Sequence, residues 1–406
     1  MEIPNRMIRT ASHEGLADAR GRPTAAQLEF YSKFVEGGIG LVITGYAGIS
    51  QVGKSALFHM TMIDDDELIP YHRRLVEGDD GGNGGAASIH EMGGKIVLQI
   101  AHCGRQTWSS VTGRSLQAPS ARACGFYRER PHGMSASDIE QVIGDFARAA
   151  LRTKRAGYDG VQIHAAHGYL LSTFLSPHAN KRRDAYGGGP KNRFRIVKET
   201  LEAVRQAVGP GYPVLIKLNT YEKARDGTKP DDCIGFARMV EETGCCDAIE
   251  FSCGTNEGGF IMARGRVPTE ALLKYMRPYC NWPGWIKSMM RHVFIPCYRL
   301  GQPRFSEGYN LETAARARRE ISLPVITVGG MRSKRFMEQA IEEGKTDFVS
   351  MARPLILEPD LPNKFKEGRS EKALCDNCND CVVATDTQQI RCHKPDVASL
   401  RAHEIP

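Results

Sequence analysis

The sequence predicts a single (β/α)₈ barrel, an α/β fold in which eight parallel strands alternate with helices. Three observations predict it: eight short β-branched runs ending in glycine or polar residues, helix-patterned sequence between most of them, and no G-x-G-x-x-G turn after the first run. The third matters because the structural rival, a doubly wound open sheet, normally carries such a turn after its first strand.

The strand runs fall at 5–11, 39–45, 95–101, 159–165, 213–219, 247–252, 324–328 and 347–351. Several are nearly continuous apolar stretches, as parallel strands covered on both faces require. Helical patterning occupies 137–156, 192–208, 231–244, 311–321 and 333–344, the first opening on Ser137 or Asp138 as candidate N-cap. The Gly-rich tract at 78–85 follows a helical segment rather than a strand and reads as a flexible surface insertion. Two connections, 102–136 and 253–323, are too long for plain loops. The second contains KYMRPYCNWPGWIKSMMRHVFIPCYRL, rich in aromatics, proline and methionine. Both leave the face of the barrel where active sites lie, so they either wall a pocket or elaborate the outer packing. The expected division is a barrel over 1–368 and a Cys-rich tail over 369–406.

At 406 residues, length alone does not choose between one large barrel and two domains, and 41% hydrophobic residues supply ample core. A net charge of +7 without a dense basic stripe is weak support for nucleic acid. No apolar run approaches the roughly 20 residues of a membrane helix, and the N-terminus lacks a secretory apolar region. The expectation is therefore a cytoplasmic protein with a small-molecule partner and neither nucleic acid nor membrane as partner; a homo-oligomer is compatible with it.

Polar residues at the C-terminal strand ends mark the site. They are Thr10 and Ser12, Thr44 and Tyr46, Gln99 and His102, His164 and His167, Lys217 and Asn219, and Ser252. The last two strands end in Gly329-Gly330 and Ala352-Arg353, where glycines let backbone approach an anion and an arginine adds bidentate charge. A phosphate-bearing cofactor or substrate is expected there; the alternative is a pair of tight turns. His164 and His167 can donate hydrogen bonds or serve as acid and base; no third histidine or nearby carboxylate completes a metal set. Lys217, inside the apolar run VLIKL, needs an anionic partner: a neighbouring carboxylate, charge on a cofactor, or a Schiff-base role. Gln99 suits the edge of a heterocycle or the backbone.

The segments NRMIRTASHEG, GLVITG, GGKIVLQIAHCGRQ, HAAHGYLLSTFLSPHANKRRDAYGGGPKNRFR, VLIKLN, ITVGGM and DFVSMARPLI together resemble the Old Yellow Enzyme family of FMN-dependent oxidoreductases, in order over roughly residues 3–368. Within the family the sequence is most similar to the branch of bacterial 2,4-dienoyl-CoA reductase, and the expectation is a protein lacking that branch's FAD/NAD(P)-binding region. The resemblance implies bound FMN, transient NAD(P)H and reduction of an activated C=C bond in an enone or enoyl-thioester. It implies that His164 and His167 bind the substrate oxygen and that Tyr169 supplies a proton. Thr10, Ala11, Ser12, Tyr46, Gln99, His164 and Lys217 would contact the flavin, and Gly329, Gly330, Ala352 and Arg353 its phosphate. Tyr46 is bulkier than the residue usual at its position, Lys217 replaces a common arginine, and His13 stands where other branches differ. An amine dehydrogenase of the same fold is the alternative; a flavin-free Lys217 aldolase and a tail-centred redox module are others.

Cys375, Cys378, Cys381 and Cys392 form C-x₂-C-x₂-C-x₁₀-C, whose thiolates suit an iron–sulfur cluster or zinc. The related branch places a [4Fe–4S] cluster just past its barrel, although its third spacing is usually one residue longer. Such a cluster would require an electron-donor protein here. The alternative is a set of reduced thiols.

Overall fold

The computed structural model describes residues 1–78 and 87–394. Gly78 apart, the predicted Gly-rich insertion lies outside these residues. Eight strands carry the fold: β1 (Met7–Arg9), β2 (Leu41–Ile43), β3 (Ile96–Ala101), β4 (Gly160–Ala165), β5 (Val214–Asn219), β6 (Ala248–Ser252), β7 (Val325–Val328) and β8 (Phe348–Met351). Each pairs in parallel with its sequence neighbours, and the circle closes where Arg9 of β1 meets Met351 of β8. The expected barrel is present.

Period-two alternation sorts each strand into two environments. Ile8, Leu41, Ile43, Val97, Leu215 and Ile326 point inward as a compact apolar floor. Their neighbours, such as Val214, Ile216, Ile249, Val325 and Val349, point outward into the larger core beneath the helices. That core is closed by α1 (Ala25–Glu36), α2 (Ile69–Glu77), α3 (Ala136–Arg155), α4 (Pro190–Val208), α5 (Pro230–Glu242), α6 (Leu311–Arg318), α7 (Lys334–Glu342) and α8 (Leu361–Lys366). Proline opens α4 and α5, where its missing N–H costs nothing. The N-cap of α3 is Ser135, not Ser137 or Asp138: the Ser135 side chain accepts from the Asp138 N–H and the Asp138 carboxylate accepts from the Ser135 N–H.

The excursion at 102–136 contains a single helical turn and a two-stranded pair. The one at 253–323 carries a helix at Thr269–Tyr275 and a helical path from Gly284 to Leu300. As far as residue 394 the tail folds back over the mouth; the rest of it lies outside the described residues. Asn379 Nδ2 donates to the carbonyls of Ala263 (2.7 Å) and Arg266 (2.9 Å), Thr387 Oγ1 to that of Tyr275 (2.9 Å), and the Ile390 N–H to that of Glu14 (2.7 Å). It therefore straps the second excursion to the loop after β1. No helix among the described residues is long and apolar enough to cross a membrane.

Candidate active site

Above the apolar floor the barrel interior turns polar. Lys217 lies 3.1 Å from Glu250 and donates to Thr10 Oγ1 at 2.9 Å. The two are register partners across β5 and β6. Glu250 also accepts from Gln162 Nε2 (2.8 Å), Ser350 Oγ (2.8 Å) and Thr10 Oγ1, while Gln99 Nε2 donates to Gln162 Oε1 at 2.6 Å. All six side chains are buried. Burial raises the Glu250 pKa, but Lys217 and the three donors outweigh it and leave a net downward shift. Burial also draws the Lys217 pKa down, against the pull of Glu250. Of this network the sequence marks Thr10, Gln99 and Lys217 but not Gln162 or Glu250.

The next layer is the exit of β4. The His164 and His167 rings stand perpendicular, 5.1 Å apart, with the Tyr169 ring 4.9 Å from His164. His167 adopts a left-handed backbone (φ 61°), pinned by its N–H on Asn219 Oδ1 (3.1 Å) and its carbonyl accepting from Gln106 Nε2 (2.8 Å). That turn swings Nε2 to within 2.7 Å of Ser252 Oγ. The Ala166 N–H donates to His164 Nδ1 at 3.3 Å, so the proton of neutral His164 resides on Nε2. Burial lowers the His167 pKa to about 3, with Lys217 adding to the effect. It drives His164 well below the usual histidine range, helped by His167 and Lys217. Both imidazoles are neutral near pH 7. Tyr169 donates its hydroxyl proton to Tyr46 Oη at 2.9 Å, and Tyr46 Oη stands 3.3 Å from Ser55 Oγ. His13 packs 5.5 Å from the Tyr46 ring and bonds the Phe58 carbonyl at 2.6 Å.

At β7 and β8, Gly329 (φ 137°) and Gly330 (φ 75°) take conformations that favour glycine. Arg353 turns partly away: Nη1 donates to the Arg264 carbonyl (3.0 Å) and to Asn379 Oδ1, tying this strand end to the excursion and the tail. Two cations the sequence reading missed stand nearby. Arg264 stacks on Tyr309, itself against Gly329, and Arg332 follows Gly330 by two residues; the Nε of each is buried without a hydrogen-bond partner. Unspent guanidinium donors beside a glycine turn fit an anion. A methyl group on Gly330 would lie 2.5 Å from the Ser306 carbonyl oxygen. Gly330→Ala is therefore expected to cost roughly 1–3 kcal/mol in urea unfolding; an unchanged midpoint would show that this turn has room to yield.

In the tail, Cys375, Cys378 and Cys381 are buried and Cys392 is half-buried, all as free thiols. Burial, with the other three thiols contributing, pushes Cys381 up to about 12. Among the described residues, no three His, Cys, Asp or Glu side chains stand together as a metal site. The expected cluster or zinc thus gains no support from the arrangement of the thiols.

A closed parallel barrel with neutral imidazoles, a phenol and a buried ammonium at its C-terminal mouth belongs to the large class of (β/α)₈ enzymes that hold their reactive groups on strand exits. Within that class the chain belongs to the NADH:flavin oxidoreductase / NADH oxidase family, whose model matches residues 1–251 and 281–372. It is 30% identical over 392 residues to the NADH oxidase of Thermoanaerobacter brockii, covering 96% of this chain and 53% of that protein. It is 29% identical over 383 residues to the 4,4'-dithiodibutanoate disulfide reductase of Rhodococcus erythropolis, covering 94% of this chain and 90% of that one. The chain thus spans about half the length of the first relative and nearly all of the second. The fold is similar to that of a 2-naphthoyl-CoA reductase complex, with a TM-score of 0.78, 24% identity, and coverage of 98% of this chain and 56% of the other.

Proposed function

We propose that the chain is an FMN-dependent NAD(P)H oxidoreductase that reduces activated C=C bonds in enone or enoyl-thioester substrates. The observation that carries this reading is the convergence of neutral His164, neutral His167 and Tyr169 at one strand exit, above the buried Lys217 ammonium. Bound FMN would supply hydride transfer in both directions, accepting from NAD(P)H and donating to the alkene. The residues present fit it: the Arg264 and Arg332 donors and the glycine turn suit its phosphate, and the polar barrel layer suits a heterocycle.

In this reading Gly329, Gly330, Ala352 and Arg353 hold the phosphate, while Gln99, Lys217, Tyr46 and the backbone of Thr10, Ala11 and Ser12 hold the ring. His164 offers its Nε2–H to the substrate oxygen as a neutral donor, which stabilises developing negative charge without surrendering a proton. His167 supports the same oxygen, its ring held by Ser252. Tyr169 delivers the proton to carbon, and the hydroxyls of Tyr46 and Ser55 stand in line to replace it. The barrel, 1–368, carries this chemistry. The tail, 369–406, is where Cys375, Cys378, Cys381 and Cys392 would hold an iron–sulfur cluster or zinc. Iron, sulfide and zinc analysis after anaerobic purification tests that part, and a metal-free protein removes it.

Tyr169→Phe is expected to slow flavin reoxidation by an enone by roughly 10²–10⁴-fold while leaving flavin reduction by NADH unchanged. Tyr46→Phe should give a smaller loss in the same half-reaction. Anaerobic stopped-flow absorbance separates the two half-reactions. Equal slowing of both would show that Tyr169 shapes the pocket rather than moving a proton. Bleaching by a methylated amine but not by NADH would replace the proposal with an amine dehydrogenase.

A further inference from the structure

The second excursion leaves one long helical face uncovered. From Gly284 to Leu300 the chain runs through α turns at Gly284–Met289 and Ile295–Leu300, joined by a π segment at Met290–Phe294. Ile295 and Met290 pack inward on Val267, Ala271 and Leu272. The other side carries Trp285 (70% exposed), Met289 (41%), Val293 (53%), Phe294 (50%) and Leu300 (89%). Single exposed apolar side chains are ordinary, but five on one element form a patch that calls for an occupant. Val293 and Phe294 both fall within the π segment.

Charge identifies the occupant. Residues 271–306 contain six Lys or Arg and no Asp or Glu. Arg291 is paired with Glu270 and Arg277 with Asp386 from outside the stretch. Lys274, Lys287, Arg299 and Arg304 make no ion pair among the described residues. Tryptophan, phenylalanine and leucine beside Lys287 and Arg299, neither of which has a counter-charge among the described residues, on a helix too short and too interrupted to span a bilayer, are the composition of an element that lies in a lipid interface. The helix is also anchored beside the barrel mouth, since Lys223 Nζ donates to the Gly301 carbonyl at 2.6 Å and the Phe260 N–H to Gln302 Oε1 at 3.2 Å.

We propose that this face docks on an anionic membrane surface, the apolar side chains entering the headgroup boundary and the basic ones meeting lipid phosphates. The expectation of no membrane partner rested on the lack of an apolar run long enough to span a bilayer, and an element that lies on a bilayer needs no such run. This docking is independent of the reaction proposed above.

The test uses the full purified chain with two vesicle types, phosphatidylcholine alone and phosphatidylcholine mixed with phosphatidylglycerol. Wild type is expected to cosediment with the anionic vesicles, less so as salt rises, with a blue shift in tryptophan emission. Trp285→Ser/Val293→Ser/Leu300→Ser, all solvent-facing, should weaken this by at least roughly tenfold, with the circular dichroism spectrum unchanged. Absence of binding by wild type, or equal binding by wild type and variant, overturns the proposal. So does a wild-type dimer in light scattering that the variant dissolves, since the face would then cover a second copy.

Discussion

Glu250→Gln is expected to lower the unfolding free energy by about 3–5 kcal/mol, because it leaves the Lys217 ammonium inside the barrel without its counter-charge. Glu250 is fully buried and is the only carboxylate paired with Lys217 among the described residues. It also accepts from Thr10, Gln162 and Ser350, so the amide must set a donor against side chains that are themselves donors. The magnitude reflects an uncompensated charge rather than the worth of the pair. Lys217→Met in the Glu250→Gln background should therefore recover most of the loss, although each change alone destabilises. Urea unfolding of the four proteins gives the coupling directly. Additive losses would mean that Lys217 finds another way to shed or screen its charge, and the buried pair would no longer explain the polar layer.

Lys217 shows how far the sequence goes. Its cost inside VLIKL is legible from residue type alone, because an ammonium among apolar neighbours requires a partner. Glu250 likewise has apolar neighbours on both sides in DAIEFS, yet naming it as that partner needs the register that sets β5 against β6. Gln162 is silent for the same reason. The eight strands are legible to within two residues at either end because β-branched runs between helical patterns repeat in strict order. The α3 cap is not: Ser135, Ser137 and Asp138 all qualify as cap residues, and only the backbone shows that Asp138 stands three residues inside the helix. His164 and His167 were visible as a pair. What Tyr169 bonds was not, since Tyr46 lies 123 residues away. Arg264 and Arg332 gave no signal among 54 basic residues, because their distinction is an unpaired Nε, a property of packing. The path of the tail across the mouth was equally hidden, since it depends on asparagine contacts with the carbonyls of the second excursion.

Stability is expected to fall steeply as pH drops below 6.5, and buried histidines set the slope. Burial lowers His13, His72 and His102 from 6.5 to about 4 and His167 to about 3, and holds His164 well below the usual range. The unfolded chain takes up a proton at each as pH falls through 6.5, while the folded chain refuses it until about 4 or lower. Folded stability is therefore full above 6.5 and is lost going down, by about 1.4 kcal/mol per pH unit for each histidine. Two buried carboxylates oppose the trend. Glu14 and Glu222 have raised pKa values, chiefly from burial, so they bind protons in the fold before the unfolded chain does and return stability between their raised values and 4.5. With five histidines against two carboxylates, the net slope stays positive with pH. His72 isolates one term, since it lies away from the mouth, bonded to Tyr158 Oη at 2.8 Å and the Met62 carbonyl at 2.9 Å. His72→Gln should flatten the slope below pH 6.5 by about one proton's worth, roughly 1.4 kcal/mol per unit, whatever it does to stability at neutral pH. Urea midpoints measured across that range give the proton uptake on unfolding. An unchanged slope in His72→Gln would mean that this imidazole is already charged in the fold.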